Sequence, residues 1–130
     1  MTDQNDVLFV PYRETLGLLN VQDALDVCEQ VKLVNPSLGT EKVDVHLNRL
    51  VPGGPRGKLH HHTNADNVYI VKRGEGTLTV EEKTYVICED DVVYIPAGMK
   101  HSLANLSADT FEIFEIYAPS GQHLDFVLDE

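Results

Sequence analysis

The chain is predicted to fold as an all-β barrel of short antiparallel strands, and three observations predict it. Apolar runs rich in Val, Ile, Tyr and Phe recur about every 8 to 12 residues. Between them lie clusters of Gly, Pro, Asn and Asp, the residues that supply turn geometry. The strand–helix alternation of a parallel α/β sheet is missing, and the lone Gly74-Glu75-Gly76 lacks the further glycine and the helix of a dinucleotide fingerprint. A length of 130 residues suits one domain with one core.

Taken in order, residues 1–6 are polar and read as a frayed end. Residues 7–10 form a short apolar run stopped by Pro11 and read as an edge strand. A turn is expected around Gly17. Residues 21–34 fit both helical and alternating spacing, and their second half is read as a strand because the turn signal NPSLG follows at 35–39. Residues 42–51 alternate clearly, with Val43, Val45, Leu47, Arg49 and Val51 on one face and Asp44, His46, Asn48 and Leu50 on the other. Short strands then follow at 59–62 and 67–72. Residues 73–76 read as a hairpin turn whose glycines permit positive φ. Strands at 77–80, 84–87, 92–95, 101–106 and 111–117 complete the pattern, and residues 123–127, with His123, form a tail across an edge.

Composition excludes several functions. The formal net charge of −11 repels phosphate backbones, so no nucleic-acid partner is expected. No run of roughly 18 apolar residues is present to span a membrane. The start, MTDQNDVLFV, lacks the basic segment and cleavage site of a signal peptide, so a cytoplasmic location is the expectation. Cys28 and Cys88 are far apart with no CxxC spacing, and each reads as a small buried hydrophobe.

The chemistry concentrates in residues 54–74, GPRGKLHHHTNADNVYIVKRG, which hold three of the six histidines. In an extended strand, His60 and His62 project to the same side with backbones roughly 6–7 Å apart. Two imidazoles so placed can converge on one ion at about 2 Å, while His61 points the other way. Two surface histidines would show the same spacing. His101 follows a Pro-Ala-Gly turn and reaches the same ion only if the barrel folds back.

Together these segments resemble the cupin superfamily. The family's first motif, G-x5-H-x-H-x3,4-E-x6-G, is matched at Gly54, His60, His62 and Gly74. Its second, G-x5-P-x-G-x2-H-x3-N, is matched at Pro96, Gly98, His101 and Asn105. Two positions depart from the pattern. Asn67 stands where the family has glutamate, and Asp90 replaces a turn glycine, a change tolerated if its φ is negative.

The resemblance implies a cupin double-stranded β-helix, or jelly-roll, with a core at about 42–119 and N-terminal strands in 7–34 packed on it. It implies one divalent transition metal per chain (Fe, Mn, Ni or Zn) at His60, His62 and His101, with Asn67 as fourth ligand or standing behind them. A neutral ligand set leaves the full charge on the ion and favours an anionic or oxygen-chelating small molecule. Alternation from the ligands points Tyr69 and Leu103 into the pocket. The resemblance also turns His46, Asn48 and Leu50 inward, where hydropathy alone would leave them facing solvent. On 111–117, Phe114 and Ile116 are read as lining residues and Glu115 as outward. Lys100 at the rim reads as a solvated lysine. Dioxygenase-type chemistry is favoured, because three-histidine iron cupins use it. Isomerase, lyase or cyclase chemistry with the metal as Lewis acid, and non-catalytic binding, stand as alternatives. A homodimer joined through N-terminal edge strands is the expected assembly.

Overall fold

A computed structural model describes residues 7, 9, 20–21, 28–34, 40–53, 57–120 and 126–129. Among them are eleven strands and no helix. They are β1 (Asn20–Val21), β2 (Cys28–Val34), β3 (Asp44–Leu50), β4 (His60–His62), β5 (Asp66–Arg73), β6 (Glu75–Val80), β7 (Lys83–Cys88), β8 (Val92–Ile95), β9 (His101–Ala104), β10 (Phe111–Ala118) and β11 (Phe126–Leu128). The strand expected at 7–10 lies outside the described residues except for Val7 and Phe9, which are exposed and in no strand. The turns around Gly17 and at 35–39, Gly54, His123 and the side chain of Cys28 also lie outside them.

The strands form two antiparallel sheets. One has six strands in the order β1-β2-β3-β10-β5-β8, and the other five in the order β11-β4-β9-β6-β7. Their inner faces share one apolar core. Leu50, Tyr69, Val71, Phe111 and Ile113 come from the first sheet, and Leu78, Ile87 and Leu103 from the second. This is the double-stranded β-helix expected from the sequence, and burying those faces against each other drives its closure. A smaller cluster of Leu33 and Leu47, with Val34, Val45 and Phe114 against it, lies on the outer face of the six-stranded sheet.

Residues 73–76 do not form a hairpin. β5 pairs with β10 and β8, whereas β6 pairs with β7 and β9, so the chain passes between sheets here. Gly74 makes the corner at φ +81°, and a Cβ there would sit 2.2 Å from the Thr110 carbonyl oxygen. Gly76 is needed for space instead, because the Phe111 ring lies 2.3 Å from where its Cβ would be. The glycine signal was therefore right about special backbone and wrong about pairing, since turn chemistry cannot tell a hairpin from a sheet crossing.

Two further expectations are corrected. Asp90 has φ +74°, not a negative value. Asp tolerates the left-handed region better than most residues, and the turn is held by Asp90 N–H donating to the Val71 carbonyl and Asp91 N–H to the Cys88 carbonyl. Cys88 is exposed, not buried. It ends β7, a strand at the edge of its sheet whose residues are exposed apart from Ile87.

Candidate metal centre

β4 and β9 are neighbours in the five-stranded sheet, with His60 directly opposite His101. The ring centroids lie 4.3 Å apart for His60–His101, 5.1 Å for His60–His62 and 5.7 Å for His62–His101. One nitrogen from each of the three rings falls within 4.8 Å of the others. The turn that delivers His101 is itself anchored. Gly98 N–H donates to the His62 carbonyl at 2.7 Å, and Asp66 accepts from Ala97 N–H and from the Tyr94 hydroxyl, each at 2.8 Å.

Backbone carbonyls orient two of the rings. His60 Nδ1 lies 2.8 Å from the Lys58 oxygen, and His101 Nδ1 lies 2.9 Å from the Met99 oxygen. A carbonyl only accepts, so Nδ1 carries the proton and Nε2 presents its lone pair. Burial, aided by the neighbouring His60, pushes the His101 imidazole down to about 4. Burial likewise lowers His60, against the opposing pull of its bond to the Lys58 carbonyl. Both rings are therefore neutral at pH 7, the form that ligates metal.

Asn67 reaches the same point from the opposite sheet. Its Nδ2 lies 3.2 Å from His101 Nε2, and its Oδ1 is buried with no hydrogen-bond partner among the described residues. Exchanging the amide O and N would turn that oxygen toward the histidines, an assignment the hydrogen-bond network alone decides. Three imidazoles and a buried amide oxygen fit a divalent transition ion of borderline softness.

His61 points away from the cluster and is engaged. Its Nδ1 lies 2.8 Å from Asp129 Oδ2, a link that ties the end of β11 to β4. β11 also lays Phe126 on the histidines, stacked on His60 at 4.4 Å and edge-on to His62 at 5.8 Å.

The six-stranded sheet supplies the facing wall. His46, Asn48, Leu50 and Tyr69 are buried on its inner surface, and Leu103 lies in the same core from β9. Phe114 and Ile116 do not line this interior. In β10, Phe111, Ile113, Glu115 and Tyr117 lie opposite Leu50, Asn48, His46 and Asp44 of β3 and share their inward face. Phe114 lies opposite Leu47 and joins the outer cluster, and Ile116 lies opposite Val45. Glu115 is thus inward, and buried. The sequence FEIFEIY has apolar residues on both faces because the core covers one face of β10 and the outer cluster the other, so hydropathy does not reveal its phase.

Glu115 and Tyr117 are interior polar residues that sequence reasoning missed, whereas Asp44 lies on the face where alternation put it, with His46 and Asn48. The signal was their pairing. Tyr117 lies opposite Asn67, and Glu115 opposite Tyr69, once β10 is set beside β5. Glu115 accepts hydrogen bonds from Asn48 Nδ2 and the Tyr117 hydroxyl. Gln30 of β2 donates to Asn48 Oδ1 at 2.8 Å, so the network crosses three strands. Burial pushes the Glu115 carboxyl above its ordinary range, although both hydrogen bonds pull it down. The Tyr117 ring lies 5.1 Å from His62 and 5.4 Å from His46.

The fold and this cluster define a double-stranded β-helix with a histidine site on its inner surface. The family model described as "Cupin domain" matches residues 46–117, and the chain belongs to that family. It is 31% identical over 81 residues to a mannose-1-phosphate guanylyltransferase of Klebsiella pneumoniae, covering 62% of this chain but only 17% of that enzyme. Among solved structures it is similar to KdgF from Halomonas sp., at TM-score 0.75 and 16% identity over 92% of this chain and 99% of that one. It is also similar to an oxalate decarboxylase of Lactobacillus farciminis solved with formate, at TM-score 0.73 and 14% identity over 87% of this chain and 34% of that one.

Proposed function

We propose that the chain is a metal-dependent enzyme acting on a small oxygen-chelating or anionic molecule. The observation that carries this reading is the convergence of His60, His62 and His101 within 4.8 Å, beside the buried amide of Asn67. These residues would hold one Fe, Mn, Ni or Zn ion, which supplies Lewis acidity or, as iron, O2 chemistry. The protein's own part is to present the imidazole and amide donors, to stack Phe126 on His60, and to offer polar groups on the facing wall. Because no ligand is anionic, the ion keeps its charge for an anionic molecule. Mannose-1-phosphate, oxalate and formate, named in the relatives' descriptions, are anions of this small oxygen-rich kind.

Dioxygenase-type chemistry is the first reading of the reaction. Isomerase, lyase or cyclase chemistry is the second, and the buried Glu115 with Tyr117 favours it, since proton transfer needs an acid inside the barrel. The proposal includes a cytoplasmic homodimer, checked by cell fractionation and light scattering. Elemental analysis of untagged, freshly purified protein tests the central claim. One metal per chain is expected. No metal, together with no change in melting temperature or oxygen uptake on adding Fe(II) or Zn(II), would leave non-catalytic binding as the reading. With metal present, oxygen uptake separates the two chemistries.

A further inference from the structure

We propose that Tyr117 donates a hydrogen bond to the molecule held at the histidine site, and that Glu115 is the positioning residue that aims its proton. The inference rests on the metal-centre reading and adds the facing half of the site.

Tyr117 is the polar group of the six-stranded sheet whose ring lies against His62, and it sits opposite Asn67 on the neighbouring strand. Behind it Glu115 is boxed in by Tyr117 on one side and Asn48 on the other, and Asn48 is in turn held by Gln30. A carboxyl buried among these neighbours is expensive to ionise. When ionised, Glu115 accepts the Tyr117 hydrogen and the phenol faces away from the histidines. When it carries a proton, its own O–H must donate. Asn48 Nδ2 offers only hydrogens, so the Tyr117 oxygen takes that proton. The Tyr117 hydrogen is then turned from Glu115 toward the interior, on the side of His46 and His62. The protonated carboxyl thus makes the phenol a donor aimed into the site.

This assigns a ligand class. One oxygen group faces the ion, and a second, accepting oxygen meets Tyr117. A dicarboxylate or a 2-oxo acid has both. No covalent or redox step is involved: the Glu115 hydrogen points at the Tyr117 oxygen, the Tyr117 hydrogen at the ligand, and each stays on its own oxygen. Among the described residues, the titratable groups facing this pair are Asp44 and His46 from β3, Tyr69 from β5 and His62 from β4.

The test is calorimetric titration of oxalate into the zinc-loaded full chain, over a pH range in which oxalate remains a dianion. Zinc content is measured in every variant. Tyr117→Phe should retain zinc and weaken oxalate binding roughly tenfold or more. Glu115→Ala should lose a similar factor, and Glu115→Gln should restore it, because the Gln amide donates permanently to the Tyr117 oxygen. Wild-type affinity should fall as pH rises through the Glu115 titration, whereas Glu115→Gln should lack that fall. Tyr117→Phe binding oxalate as tightly as wild type, or Glu115→Gln keeping the wild-type pH profile, would overturn the proposal. Zinc bound without oxalate binding overturns it too. Wild type that binds no zinc removes the metal-centre reading itself.

Discussion

The side-chain amide of Asn67 lies 3.2 Å from Nε2 of His101, although the two residues belong to different sheets. The position that carries a glutamate in the family motif is thus at the histidine cluster, with a neutral group in place of a charge. If the amide oxygen ligates, Asn67→Ala should weaken zinc binding about tenfold, and His101→Ala should weaken it at least a hundredfold, about 3 kcal/mol per lost imidazole. Isothermal titration with zinc checks both. Unchanged affinity in Asn67→Ala would place Asn67 behind the ligands.

Asn67→Glu tests the charge argument from the other side. A carboxylate beside His101 should tighten zinc binding and weaken oxalate binding, because it neutralises part of the ion's charge. The same titrations read both effects. If both affinities rise together, residual charge on the ion does not select the ligand.

Glu115 should leave a mark on stability against pH. Its folded value is raised above the ordinary 4.5 by burial. Between the unfolded and folded values the folded chain binds more protons, so stability falls as pH rises through that window. The contribution is complete below the unfolded value and lost above the folded one. Melting temperatures of metal-free wild type and Glu115→Gln should diverge with rising pH, with the variant more stable at neutral pH. Parallel curves would mean that Glu115 ionises as freely folded as unfolded.

Gly74→Ala should be among the most damaging single-methyl additions in the chain. It combines φ +81° with a backbone oxygen 2.2 Å from the new carbon. Strain at such a φ alone costs about 1–3 kcal/mol, before the clash with Thr110 is counted. Chemical denaturation would measure the loss. Gly53→Ala, at φ +63° but with open space around it, is the control that isolates the backbone part.

The His61–Asp129 link predicts a local effect. Both side chains are partly exposed, at 23% and 11%, so Asp129→Asn should change global stability by less than about 1 kcal/mol. Amide exchange in β11 should nevertheless accelerate, since the link and the β4 ladder tie it down. Unaltered exchange in Phe126–Leu128 would show that the ladder and the Phe126–His60 stack suffice.

The strands that alternate strictly could be read from the sequence, because one buried face imposes a period of two. Residues 44–50 are the example: Asp44, His46, Asn48 and Leu50 share one buried face, and Leu47 on the other is covered by the outer cluster. The His-x-His spacing needed only strand geometry to put two imidazoles on one side. β10 could not be read this way. Apolar residues occupy both of its faces, so only its register with β3 and β5 shows that Glu115 faces in and Phe114 out.

By itself the sequence determined an all-β chain of short strands, the His-x-His pair His60 and His62 in β4, and the unusual neutral residue at 67. Those are local or short-range facts, set by side-chain period, turn chemistry and motif spacing. The tertiary structure decided which groups meet: His101 beside His60, Asn67 across the sheets, and Glu115 with Tyr117 on the facing wall. These meetings depend on strand pairings between residues tens of positions apart. Such pairings are chosen by the burial of the whole core, which no single stretch of sequence encodes.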